Sequence, residues 1–113
     1  MKKGMEEILD GIEDMVEREL EYAIGAYPLF ASNHEAYAVL SEEFEEAKDE
    51  LWEVGKYKDQ LWSEIKGDKS GAVATVTNVR RHLTFTAAEF IQAIAMCDKF
   101  VLSSRQRTEG EQR

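Results

Sequence analysis

Apolar residues recur at intervals of three and four along almost the whole chain, the period of a helix face. Met5, Ile8, Ile12, Met15/Val16 and Leu20 predict a first helix over residues 4–24, with Glu6, Glu7, Glu13, Asp14, Glu17 and Glu21 over much of its other side. Gly25 and Pro28 close it, because Gly suits a C-terminal cap and Pro cannot continue a helix. The apolar loop 25–32 is expected to pack Tyr27, Leu29 and Phe30 against a helix end. Ser32-x-x-Glu35 matches a capping box and starts a second helix near Asn33, running to about residue 54. Gly55 is read as a break or kink before a shorter helix over 56–66, and residues 67–71 as a turn. From Gly71 to Val79 the β-branched residues suggest a strand. Register argues otherwise: Ala72, Val76, Val79, Leu83, Ala87, Phe90, Ile94, Cys97 and Val101 keep the three-four spacing, which predicts one helix over 72–102. Residues 103–113 have no apolar side chain and are expected to form a flexible tail.

The pattern therefore predicts an all-α fold, a helical bundle made by a single domain over 1–102. One chain has too few long helices to cover all these apolar stripes, so a homodimer, or a dimer of dimers, is expected to complete the bundle. Composition narrows the partners. A net charge of −9 disfavours a nucleic-acid polymer. The lone Cys97 rules out an intrachain disulfide and fits a reducing cytoplasm. The basic start at Met1-Lys2-Lys3 is followed at once by acids, with no apolar core of a signal peptide, and no run is long and apolar enough for a membrane span.

The densest chemistry lies in the second helix. Between Glu42 and Glu50 there are six carboxylates in nine residues, while Leu40, Phe44, Ala47 and Leu51 keep an apolar face. At about 100° per residue, Glu43, Glu46 and Glu50 line one flank of that face. A solvated helix does not require acids on the border of its buried stripe. A hard cation such as Mg²⁺ does, because it takes oxygen ligands and gathers several charges at one point. The last helix has its own polar stripe of Asn78, His82, Glu89 and Gln92 around Phe85. Glu89 precedes Phe90 as Glu43 precedes Phe44, so antiparallel packing would let both acidic flanks meet, and Glu42, Glu43, Glu46 and Glu89 could hold one or two ions. Neither histidine has a Glu three positions earlier, which sets aside a di-iron Glu-x-x-His arrangement.

The string Glu42-Glu43-x-x-Glu46, with Glu89 on a later helix, resembles the all-α nucleotide pyrophosphohydrolases of the MazG-like group. The segments His34–Val39 and Glu89-x-x-Gln92-x-x-Ala95-Met96 are similar to its phage-type members, and the resemblance spans roughly residues 16–102. It implies a Mg²⁺-dependent enzyme (Mn²⁺ being possible) that cleaves nucleoside triphosphates to monophosphate and pyrophosphate. It implies metal ligands at Glu42, Glu43, Glu46 and Glu89. Gln92 stands where the family has Asp, and its neutral carbonyl is a poorer ligand that offsets no metal charge. A non-catalytic helical binding or regulatory protein with a degenerate metal site is the alternative. For catalysis, Glu45 or Glu46 could orient the attacking water. By residue type, Lys56, Lys58, Arg80 or Arg81 could hold phosphate oxygens and Trp52 or Trp62 could stack on a base, with His82 a further substrate-binding candidate.

Overall fold

Three helices make up the computed structural model, which describes residues 2–112: α1 (Lys2–Ala26), α2 (Asn33–Lys66) and α3 (Ala72–Gln112). No strand occurs among the described residues, as the three-four spacing predicts. The outer ends of the expected domain and tail, Met1 and Arg113, lie outside the described residues. No helix is long and apolar enough to cross a membrane.

Two boundaries differ from expectation. The second helix passes through Gly55 without a break. A single helical Gly costs about 0.5–1 kcal/mol, less than stopping and renucleating a helix at that point. The expected tail is helical as far as Gln112. Its sequence has no apolar residue, but its polar side chains dock. Ser103 is 1% exposed, and its Oγ accepts the Phe30 N–H at 2.9 Å while donating to the Lys99 carbonyl at 2.7 Å. Arg107 donates from Nη1 to the Phe30 carbonyl at 2.6 Å and from Nη2 to Asn33 Oδ1.

Contacts gather the chain into two compact units. The first combines the chain up to Glu43 with the part from Ile91 onward. Val16, Ala23, Phe30, Ala36, Ala95 and Met96 form its buried core, with Ile12, Leu20, Val39, Leu40, Ile91 and Phe100 packed around them. The 27–32 loop is held by these contacts: Phe30 is buried, whereas Tyr27 stays 66% exposed. Ser32 caps α2 as expected, its Oγ accepting the Glu35 N–H at 3.1 Å.

The second unit, Phe44–Phe90, is a helical hairpin turned by residues 67–71. Its tip is a polar knot. Thr75, 4% exposed, donates to Glu64 Oε1 at 2.5 Å, and Gln60 donates to Glu64 Oε1 at 3.1 Å and to Thr75 Oγ1 at 3.3 Å. Gly71 begins α3 with φ +111°, and a Cβ there would stand 2.8 Å from Glu64 Oε2. The position thus demands Gly on both conformation and space.

The long apolar stripe of α3 is not the face that is buried. Val76, Leu83, Phe90, Ile94 and Val101 remain 37–46% exposed, while Thr75, Thr86, Ala93, Ala95, Met96, Lys99 and Ser103 are buried. On α2 only Ala47 of the expected core stripe is fully buried, and Phe44 and Leu51 are exposed. Small and hydroxyl side chains fill the inner seam because they allow close helix approach. The large apolar residues are left outside.

Candidate metal centre

Helix geometry sets out the hairpin's acids. Glu46 and Glu50 are one turn apart on α2, and one turn further on each side come Glu43 and Val54. On α3, His82, Thr86 and Glu89 follow at intervals of four and three. Ala47, 0% exposed, and Thr86, 3% exposed, put small residues at the buried positions beside these acids.

Glu46 and Glu89 meet. Burial pushes the Glu89 carboxyl above its ordinary value; the charge of Glu46, a hydrogen bond with Glu46 and the charge of Glu50 add to the shift in that order. Glu89 Oε2 is buried with no hydrogen-bond partner among the described residues. One oxygen each from Glu43, Glu46 and Glu89 lie within 4.8 Å of one another. Oxygens on opposite sides of one ion stand about 4.2 Å apart for Mg²⁺, and about 4.8 Å apart at the longer bonds of larger divalent ions. A small side-chain adjustment therefore suffices for a shared cation, which would also cancel the repulsion between these acids.

The next turn carries a second device. His82 Nδ1 lies 2.5 Å from Glu50 Oε1, and the Tyr57 ring stacks on the imidazole at 4.9 Å between centroids and 21° between planes. With Nδ1 committed to the carboxylate, Nε2 is the ring's remaining polar atom. It is buried without a hydrogen-bond partner among the described residues.

Not every residue expected from the sequence joins these groups. Glu43, Glu46 and Glu89 come together, whereas Glu42 is exposed and outside the cluster. Glu45 is exposed and 3.4 Å from Lys48. Gln92 is exposed. Lys56 pairs with Glu53 at 3.1 Å in solvent, and Arg81 lies on an open groove with Thr77, Thr84 and Phe85. Trp52, 71% exposed, borders a shallow groove with Lys48, Leu51 and Gly55. His82 is held by Glu50 and Tyr57. Glu50 was legible as the third member of the stripe Glu43, Glu46, Glu50, but its pairing with His82 was not.

Lys99 escaped the sequence reading altogether. It is 4% exposed, and its Nζ lies over the rings of Phe30 at 4.6 Å and Tyr27 at 6.0 Å. No family model matches the chain, and no curated protein or solved structure matches it either.

Proposed function

We propose that this protein is a Mg²⁺-dependent nucleoside triphosphate pyrophosphohydrolase that works as a homodimer. The observation that carries the reading is the convergence of Glu43, Glu46 and Glu89 within 4.8 Å, with Glu89 pushed toward its neutral form by burial and by Glu46. Such a cluster is costly by itself and suited to a hard cation. The resemblance of Glu42-Glu43-x-x-Glu46 and Glu89 to the MazG-like group supplies the reaction. When bound, Mg²⁺ would neutralise phosphate charge and lower the pKa of a coordinated water. Glu43, Glu46 and Glu89 would hold it. The second oxygen of Glu46 would orient the attacking water. Glu50 and Tyr57 fix the ring of His82, and the inward-turned Nε2 is a hydrogen-bonding or proton-accepting point of the same hairpin.

The homodimer is supported by exposed apolar surface. In the hairpin, Phe44, Leu51, Trp62 and Ile65 of α2 and Val76, Leu83 and Phe90 of α3 are all exposed. In the other unit, so are Met5, Ile8 and Leu9 of α1. Large apolar side chains at helical spacing on a charged, soluble-type sequence mark a surface for another chain, and a second copy offers the same spacing.

A panel of nucleoside and deoxynucleoside triphosphates with Mg²⁺ or Mn²⁺, read as pyrophosphate release, tests the activity. The expected result is release by the wild type and its loss in Glu43→Ala. Absence of metal binding, with equal inertness of both proteins, rejects the proposal. A second reading, a non-catalytic binding protein on the same scaffold, is favoured by one residue: the neutral, exposed Gln92 at the position of the family's second acid. Gain of activity in Gln92→Asp marks a degenerate enzyme, and metal-independent partner binding marks the binding module.

A further inference from the structure

The hairpin of α2 and α3 has one face free of acids. Glu50 and His82, in contact across the hairpin, mark the inner line of both helices. In an antiparallel pair, equal rotation along each sequence leads to the same side, so positions about 60–160° on from that line share one face. It carries Phe44, Leu51 and Trp62 of α2 and Val76, Leu83 and Phe90 of α3, all 37–58% exposed. Phe44 and Leu51, like Val76, Leu83 and Phe90, follow at intervals of seven, the period of a seam between helices. The charged positions on this face are Lys48, Lys58, Lys66 and Arg80, with no Asp or Glu among them. In a chain of net charge −9, that is a segregated cationic rim. Lys48 and Lys58 pair with Glu45 and Asp59 of their own helix at 3.4 and 3.7 Å in solvent, and such exposed pairs are weak enough to exchange for another partner.

The first half of α1 offers the complement. From Lys3 to Asp10 every residue is exposed. Met5, Ile8 and Leu9 are 52–57% exposed, although Val16, further along the same helix, is buried in the core. Between Met5 and Met15 lie Glu6, Glu7, Asp10, Glu13 and Asp14, and no base. Gly4 and Gly11 lower the segment's own helix propensity, and each has open space where a Cβ would stand. A few such turns are marginal as a helix without cover. Docking one hairpin face on another would bring two cationic rims together, which opposes the contact. The α1 segment matches both the helical apolar spacing and the sign of the charge.

We propose that the acid-free face of the hairpin is a docking surface for residues 3–15 of α1 from a second copy of this chain. Two copies that exchange this contact satisfy both surfaces twice, and the assembly closes as a dimer. The occupant rests on the homodimer reading above; the segregation of charge between the two faces does not.

Thiol cross-linking of the whole chain, in a Cys97→Ser background, tests the arrangement. Chains with Leu9→Cys are mixed with chains with Leu83→Cys, left to exchange subunits and treated with a short bis-maleimide. A covalent dimer is expected from the mixture and none from Leu83→Cys alone, because α1 separates the hairpins. Lys58→Glu with Arg80→Glu is expected to raise the dimer Kd at least about tenfold in analytical ultracentrifugation, and Glu6→Lys with Glu13→Lys, added to the same chain, to recover most of that loss. All these side chains are exposed, so the fold should persist, which circular dichroism checks. Should a charge variant fail to fold, the cross-link decides alone. A covalent dimer from Leu83→Cys alone, none from the mixture, or an undiminished dimer after the hairpin charge reversal overturns the proposal. With a dimeric wild type, any of these results rejects this arrangement and leaves the homodimer standing; a wild type that stays monomeric rejects both.

Discussion

Replacing Glu89 by Gln removes one negative charge and keeps the side chain's shape. Two unit charges 4.8 Å apart repel by about 0.9 kcal/mol at the dielectric of water and about 3.5 kcal/mol at an effective dielectric of 20. Glu89 is half-buried, so an intermediate value of about 1–3 kcal/mol is expected as stabilisation of metal-free Glu89→Gln at pH 8. The sign depends on pH. The native state raises the Glu89 pKa above the ordinary 4.5, so it binds this proton more tightly than the unfolded chain does. The wild type therefore loses stability as pH rises from about 4.5 through the raised value, and the variant lacks that loss. The gap between them opens across that window and is widest above it. Thermal melts in chelator at several pH values measure it, each kcal/mol moving Tm by several degrees for a chain of this size. Adding Mg²⁺ reverses the order. At about a hundred times Kd a cation stabilises the wild type by about 2.7 kcal/mol, and Glu89→Gln is expected to lose most of that gain. A variant less stable than the wild type in chelator at pH 8, or an equal metal-induced rise in Tm for both proteins, refutes the reasoning.

Other positions give independent checks. Ser103→Ala leaves the Phe30 N–H without its acceptor and is expected to cost about 1–3 kcal/mol in denaturant unfolding. Gly71→Ala places a Cβ 2.8 Å from Glu64 Oε2 at φ +111°, and a loss above about 1 kcal/mol is expected, measured in the same way. Gly55→Ala meets no atom within 4 Å inside a continuous helix and is expected to raise stability by about 0.5–1 kcal/mol. Leu83→Glu alters a 46%-exposed side chain, so the single chain should keep its stability within about 0.5 kcal/mol. Its elution in size-exclusion chromatography should move from dimer to monomer, and an unchanged elution of a dimeric protein would place the contact elsewhere.

Local rules of spacing and capping settled the helical class, the Ser32 start of α2, the turn at 67–71 and the rejection of a strand at Gly71–Val79. The flank shared by Glu43, Glu46 and Glu50 was also legible, because position around a helix follows from residue number alone. Tertiary contact decided what periodicity cannot weigh. Gly55 stays helical because its neighbours carry the helix through, and residues 103–112 are helical because Ser103 and Arg107 find partners on the loop at Phe30 and on Asn33, more than 70 residues away in sequence. The apolar spacing of α3 identified a stripe but not which face the chain itself would cover, and small residues such as Ala47 and Thr86 took the inner positions. The pairings of Glu89 with Glu46 and of His82 with Glu50, and the burial of Lys99, likewise belong to the folded chain alone. Each depends on which side chains are brought within a few ångströms across helices, and a pattern along one helix does not contain that distance.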